Sequence, residues 1–340
     1  MGGIGRRRLR VTVVGAGSWG TTLADLLARN GQRVTLWARE PEVVESIHTE
    51  HVNHLFLPDA PLDPGLQVME NLSAAVSAAE LVVSAAPSHA VRGLAQQIAA
   101  GLGRRTPMVV SVSKGLEPET DDFLSDVLRE ELPNCHITVL SGPSFAREVY
   151  DRQPTALVAA STNADAAVAA QQVFSNSTFR VYTSHDTIGV QLGGALKNVI
   201  ALAAGILVGL GLGFNPQAAL ITRGLAEMGR LGAAMGADPL TFAGLAGMGD
   251  LVLTATGTLS RNRSLGVELA RGRKLSEILG ERRTVAEGVQ TAKTAVDLAT
   301  RHGVEMPIAR EVTQILFEGK PPLQAIQDLM ERTLKAEQWQ

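Results

Sequence analysis

Along the first half of the chain, short apolar runs rich in β-branched residues alternate with longer stretches whose apolar positions recur every three or four residues. The runs Val11–Val14, Arg33–Trp37, Leu81–Ala85, Met108–Val112 and Ile137–Leu140 predict strands, and Thr155–Ala160 and Phe179–Tyr182 predict two more. Thr21–Arg29 keeps helical spacing and stops at Asn30-Gly31, and Ala164–Phe174 reads as a helix between the last two strands. Strands that are apolar along their whole length belong to a sheet covered on both faces, and strand–helix alternation makes that sheet parallel and doubly wound. Near residue 186 the pattern changes. Ile188–Leu212, Pro216–Met235, Ser264–Ala270, Ala286–Arg301 and Pro307–Phe317 all carry helical patterns, with no convincing strand among them. The longest apolar stretch, Val199–Leu212, falls short of the roughly 20 residues a membrane span needs, so a buried helix is expected. The expected division is a basic tail over residues 1–9, a sheet domain over 10–186 and an all-helical domain over 187–340.

Composition narrows the class. A chain of 340 residues fits two domains at roughly 150 residues each. With 45% hydrophobic and 19% charged residues it is globular rather than disordered. The net charge of −3 argues against general nucleic-acid binding, which shows as a basic excess. Arg6, Arg7, Arg8 and Arg10 precede only the short run Val11–Val14, too short for the apolar core of a secretion signal. Cys135 is the single cysteine, so no intrachain disulfide forms, and a reducing, cytoplasmic location is expected. Thirty-four glycines and few aromatics point to close backbone packing and ligand-binding loops.

The candidate chemistry begins at Gly15-Ala16-Gly17-Ser18-Trp19-Gly20. This G-x-G-x-x-G follows a strand, opens a helix and is followed by a second strand, the context in which the pattern binds a dinucleotide. Gly15 permits the tight turn, Gly17 lets backbone N–H groups approach a pyrophosphate, and Gly20 lets the helix pack close to the sheet. The helix N-terminus then faces the phosphates. The second strand ends at Trp37-Ala38-Arg39-Glu40. Arg39 can pair a 2′-phosphate, which tilts the expectation towards NADP, while Glu40 keeps NAD open. Lys197 lies within an apolar helix, where a lysine forms a structural ion pair or, with its pKa lowered by burial, moves a proton during carbonyl reduction. Ser113-Lys114-Gly115 follows a strand's carboxyl end, where doubly wound sheets bind ligands. Ser260-Arg261-Asn262-Arg263-Ser264 brings two guanidiniums and small donors to a helix start, a set suited to phosphate. Asp250 reads as a helix N-cap or as a partner for Lys197 and substrate hydroxyls. His48, His51 and His54 lack the H-E-x-x-H arrangement, so no metal is expected, and no G-x-S-x-G elbow supports serine hydrolysis.

Together, Gly15–Gly20, Asn53-His54-Leu55-Phe56-Leu57-Pro58, Ser113-Lys114-Gly115, Ser141-Gly142-Pro143-Ser144-Phe145-Ala146, Leu196-Lys197-Asn198, Gly249-Asp250-Leu251, Ser260-Arg261-Asn262 and Val285-Ala286-Glu287-Gly288 carry a resemblance. In this order they resemble the bacterial NAD(P)-dependent glycerol-3-phosphate dehydrogenases, from about residue 10 to 320. The resemblance implies a Rossmann-type sheet domain followed by an all-α domain of the 6-phosphogluconate dehydrogenase C-terminal type. It implies interconversion of sn-glycerol 3-phosphate and dihydroxyacetone phosphate with NADP or NAD, supply of glycerol 3-phosphate for phospholipid synthesis, and a homodimer. Ser18, Trp19, Arg39, Phe56, Lys114, Ala146, Arg261, Val285 and Glu287 match the family's cofactor contacts. Lys114, Gly142, Ser144, Lys197, Asp250, Ser260, Arg261 and Asn262 match its substrate contacts, with Lys197 the proton acceptor. Phe56 departs from the tyrosine many members carry. One rival is a β-hydroxy-acid dehydrogenase of the same plan, whose lysine has its asparagine a full turn later rather than adjacent, as Asn198 is here. The other is a nucleotide-sensing protein without catalysis, against which the Lys197, Asp250 and Arg261-Asn262 set argues.

Overall fold

The computed structural model describes residues 7–281, 286–334 and 336–337. The strands are β1 (Arg10–Val14), β2 (Arg33–Trp37), β3 (Gln67–Met69), β4 (Leu81–Ser84), β5 (Met108–Ser111), β6 (Ile137–Ser141), β7 (Thr155–Ala160) and β8 (Phe179–Ser184). They form one sheet in the order β3-β2-β1-β4-β5-β6-β7-β8. The order reverses at β1, which pairs with β2 on one side and β4 on the other. Helices α1 (Ser18–Arg29), α2 (Pro41–Glu50), α3 (Leu72–Val76), α4 (Val91–Leu102), α5 (Leu124–Glu131), α6 (Ala146–Tyr150) and α7 (Ala164–Phe174) accompany the strands. The near-continuous apolar runs have the predicted cause. Val11 and Val13 of β1 and Leu81 and Val83 of β4 enter one core cluster, while Val14 and Val82 enter another. Alternate side chains thus feed a separate core on each face.

The sheet departs from the expected all-parallel plan at one place. β6 and β7 are antiparallel, with Val139 opposite Ala160, and β7 and β8 run parallel to each other. A strand buried on both faces is apolar throughout in either direction, so periodicity carries no direction signal. The short connection through α6 decides it. The pattern reading also passed over β3 and α2, which are brief and bounded by polar residues.

The later helices are α8 (Thr187–Gly209), α9 (Phe214–Ala234), α10 (Pro239–Ala243), α11 (Asp250–Thr256), α12 (Arg261–Ala270), α13 (Leu275–Glu281), α14 (Glu287–Arg301), α15 (Pro307–Phe317) and α16 (Pro322–Met330). Two compact units result. One comprises Met1–Gly194 with Ala237–Asp250, the other Ala195–Gly236 with Leu251–Gln340. Among the described residues α8 is the one helix long and apolar enough to cross a membrane, and 83% of its most apolar stretch is buried within the protein. In the second unit glycine lets helices touch backbone to backbone: a Cβ on Gly266 of α12 would lie 2.1 Å from the Leu202 carbonyl oxygen of α8.

A buried acid holds the start of α15. Glu227 on α9 is 2% exposed and accepts from the N–H of Ile308 at 2.8 Å and of Ala309 at 3.3 Å. The N-cap residue of α15, Met306, supplies no side-chain cap, so Glu227 satisfies N–H groups the helix leaves open. Burial pushes its carboxyl up to about 7, against the opposing pull of those two N–H groups, Arg230 and Arg223. The folded state therefore holds a proton that the unfolded chain has released from its ordinary value near 4.5. Over that interval Glu227 makes stability fall as pH rises, by at most about 1.4 kcal/mol per pH unit, with no further loss above the folded pKa. Urea denaturation across that range is expected to show the stability of the wild type falling relative to Glu227→Gln, and a difference independent of pH would refute this account.

Candidate functional site

The turn between β1 and α1 is shaped by what glycine alone permits. Gly15 has φ +113°, and a Cβ there would lie 2.8 Å from the Ala85 carbonyl oxygen. A Cβ on Gly20 would lie 1.9 Å from the Gly15 carbonyl oxygen, so the helix starts as close to the turn as backbone allows. At Gly17 a Cβ would meet nothing within 4 Å, leaving the outer side of the turn open. Helix α1 has no side-chain cap at Gly17 and no acidic residue in its first turn. The Trp19 indole Nε1 is buried and has no hydrogen-bond partner among the described residues. An uncapped helix start beside an open glycine turn leaves backbone N–H groups free of side-chain partners, an arrangement suited to an anion. Ala146 comes to the same helix, its carbonyl accepting from Thr22 Oγ1 at 3.2 Å. Arg39 is exposed beyond β2, with Nε and Nη2 both on Glu40 Oε1 at 3.1 and 2.8 Å. The cation expected to choose NADP and the acid expected to keep NAD open thus hold each other.

In the same unit a second cluster forms beyond β5 and β6. Lys114 Nζ lies 2.6 Å from Asp250 Oδ2 and donates to the Gly142 carbonyl at 2.8 Å. Asp250 is fully buried at the first position of α11. Ser144 Oγ donates to the same Gly142 carbonyl at 3.0 Å. Lys114, Gly142, Ser144 and Asp250 are therefore neighbours, as a shared site requires. The Ser141 hydroxyl is buried and lacks a partner beside them, 2.9 Å from where a Gly194 side chain would begin. The loop carrying Lys114 is clamped from behind, because Arg92 of α4 makes two bonds to Glu117, at 2.8 and 2.7 Å. These guanidinium bonds hold the Glu117 carboxyl below its usual range. Neither the Arg92 clamp nor the Lys114–Asp250 pair was among the partners the sequence suggested, since both join residues distant along the chain.

The second unit carries the remaining candidates. Lys197, 6% exposed on α8, donates to Thr254 Oγ1 of α11 at 2.8 Å. Next to it, Asn198 Oδ1 accepts from Asn262 Nδ2 at 2.9 Å, and Asn262 Oδ1 accepts from Gly288 N at 3.1 Å. This chain ties α8 to α12 and α14. Ser260 is the N-cap of α12, its hydroxyl accepting from Arg263 N at 3.2 Å. Arg261 is exposed at the first position of that helix, and Glu287 opens α14. Thr254 is a partner the sequence reading missed; its place one helical turn after Asp250 was the signal available. Val285 lies outside the described residues.

A sheet whose order turns at β1, a glycine turn at that strand's end and an all-helical second part define the class of two-part Rossmann-type proteins. Two family models match the chain, NAD-dependent glycerol-3-phosphate dehydrogenase N-terminus over residues 10–167 and C-terminus over 186–327. A glycerol-3-phosphate dehydrogenase (NAD(P)+) of Geobacter sulfurreducens is 56% identical over 334 residues, covering 97% of this chain and 99% of the relative. That of Myxococcus xanthus is 50% identical over 97% of this chain and 99% of the relative. The crystal structure of glycerol-3-phosphate dehydrogenase from Coxiella burnetii superposes with a TM-score of 0.91 at 39% identity, covering 96% of this chain and 99% of that one. The chain belongs to the NAD-dependent glycerol-3-phosphate dehydrogenase family.

The Lys114–Asp250 pair makes its own prediction. Asp250→Ala leaves an ammonium in a largely dry site and is expected to destabilise the protein by about 3 kcal/mol. Lys114→Met combined with Asp250→Leu is expected to recover most of that loss. Equal urea midpoints for Asp250→Ala and wild type would show that the pair contributes nothing.

Proposed function

We propose that the protein catalyses the interconversion of sn-glycerol 3-phosphate and dihydroxyacetone phosphate with NAD(P)+ and NAD(P)H. The observation that carries this reading is the 56% identity with a glycerol-3-phosphate dehydrogenase (NAD(P)+) along 97% of the chain. A β-hydroxy-acid dehydrogenase or a nucleotide sensor has no comparable support. The functional division is residues 10–186 for the dinucleotide and 187–340 for the substrate, with 1–9 as a basic tail. The dinucleotide is held by Gly15, Gly17, Ser18, Trp19 and Gly20 at its pyrophosphate, and by Arg39, Phe56, Lys114, Ala146, Arg261, Val285 and Glu287. Substrate contacts are Lys114, Gly142, Ser144, Lys197, Asp250, Ser260, Arg261 and Asn262. Exposed apolar side chains such as Phe214, at 87%, support a homodimer, and the lone Cys135 supports a cytoplasmic location. In that setting the enzyme supplies glycerol 3-phosphate for phospholipid synthesis.

Bound reduced nicotinamide supplies a hydride to the carbonyl carbon. The protein's part is to hold the substrate and provide the proton. Arg261 meets the phosphate charge at the start of α12. The Asn262 carboxamide, already bonded to Asn198 and Gly288, has one amide hydrogen left for a phosphate oxygen. Anchoring the phosphate removes most of the substrate's freedom before reaction. Lys197, oriented by Thr254, gives a proton to the carbonyl oxygen and takes it back from the alcohol in the reverse direction. Lys114, held beside Asp250, polarises the same oxygen.

Nicotinamide absorbance with dihydroxyacetone phosphate and each reduced cofactor tests the reading directly. Lys197→Met keeps the buried volume and is expected to lower kcat at least about a hundredfold. Near-normal turnover in that variant would remove Lys197 from proton transfer. Arg39→Ala is expected to raise the KM for NADPH several-fold more than that for NADH; an equal change in both would deny Arg39 a role at the 2′-phosphate.

A further inference from the structure

Asn53 is 0% exposed, and its carboxamide is the most fully used polar side chain around the glycine turn. One amide hydrogen goes to the Ala16 carbonyl at 2.8 Å, and the other to Thr21 Oγ1, also at 2.8 Å. Thr21, equally buried on α1, donates its hydroxyl hydrogen to the same Ala16 carbonyl at 3.0 Å. Asn53 Oδ1 accepts from Phe56 N at 3.0 Å, while the Asn53 carbonyl accepts from Leu57 N at 2.9 Å. The carboxamide therefore joins the loop after α2 to the second residue of the turn.

This bond has a directional consequence. In a trans peptide the carbonyl of one residue and the N–H of the next point to opposite sides of a single plane. No described peptide is cis. Two donors drawing the Ala16 carbonyl to their side thus turn the Gly17 N–H to the opposite side of that peptide plane, away from Asn53 and Thr21. A glycine peptide has little stiffness of its own, so without such a hold the plane would sample other orientations. The Phe56 bond places a second expected cofactor residue with the same side chain.

We propose that Asn53, assisted by Thr21, is a positioning residue for the dinucleotide: it fixes the Ala16–Gly17 peptide plane so that the Gly17 N–H is aimed at the pyrophosphate before binding. The inference rests on reading Gly15–Gly20 as the pyrophosphate turn. A fixed donor binds an anion more tightly because less freedom is lost on binding. The pyrophosphate is common to NADH, NADPH and ADP, so all three share the effect.

The test uses the full-length protein, with cofactor binding read by quenching of tryptophan fluorescence and ADP binding by competition. Asn53→Asp keeps the size and the acceptor for Phe56 N but turns a carboxylate oxygen towards the Ala16 carbonyl. The expected result is an increase of about tenfold or more in the Kd of NADH, NADPH and ADP alike, with the KM for dihydroxyacetone phosphate unmoved. Thr21→Val, at nearly constant volume, removes both the bond from the Thr21 hydroxyl to the Ala16 carbonyl and the one it accepts from Asn53, leaving only the Asn53 bond on that carbonyl, and is expected to raise the same Kd values about threefold; Thr21→Ser, which keeps the hydroxyl, restores them. A purely structural role would lower the melting temperature of the ligand-free protein without this selective change in Kd. Unchanged Kd values in a folded Asn53→Asp protein, or a loss that falls on dihydroxyacetone phosphate instead, overturns the proposal. If Asn53→Asp does not fold, Thr21→Val decides, and an unchanged Kd for ADP overturns it. If the wild type binds neither cofactor nor ADP, the reading of the turn fails and the proposal with it; if the wild type binds and the variants bind equally well, the proposal alone fails.

Discussion

A charge that cannot leave organises the carboxyl edge of the sheet. Asp250 has no solvent contact, and removing a carboxylate from water costs several kcal/mol unless its partners are close and well placed. Lys114 meets that condition at 2.6 Å and spends a second ammonium hydrogen on the Gly142 carbonyl. The segment after β5, the segment after β6 and the first residue of α11 are thereby held at one point. The Arg92–Glu117 pair ties the same loop to α4. An ammonium held in this way keeps one position relative to both loops.

The sheet determines why that edge is usable. β1, β4, β5 and β6 are parallel, so their carboxyl ends lie along one edge. The turns that leave them carry Gly15, Ala85, Lys114 and Gly142. The Ala85 carbonyl excludes a side chain at Gly15, the Gly15 carbonyl excludes one at Gly20, and Gly17 faces open space. Polar side chains from neighbouring loops then complete what backbone alone cannot hold still. In the helical unit the same economy appears: Asn262 links three helices through one carboxamide, and Glu227 caps a helix from another.

Most of the alternating elements were legible because burial on both faces leaves a run of apolar residues that few other structures tolerate. β3 and α10 were not, because three to five residues give no period to detect. The reversed direction of β7 left no trace in its own residues, since direction is a property of the connection. The glycine turn could be read with its context, and so could the buried position of Lys197. The partners of the charged residues could not. Lys114 finds Asp250, Lys197 finds Thr254 and Asn53 finds Ala16 across 136, 57 and 37 positions.

The sequence by itself determined the two-part architecture, the glycine turn and the family, because local stereochemistry and hydrophobic period are written in neighbouring residues. The tertiary structure alone decided the strand reversal, the pairing of Lys114 with Asp250, the use of the Asn262 carboxamide as a tie between helices and the bond of Asn53 to the Ala16 carbonyl. Each of these depends on a distance between groups far apart in the chain, and such distances exist only once the backbone has folded and water has been excluded from between them.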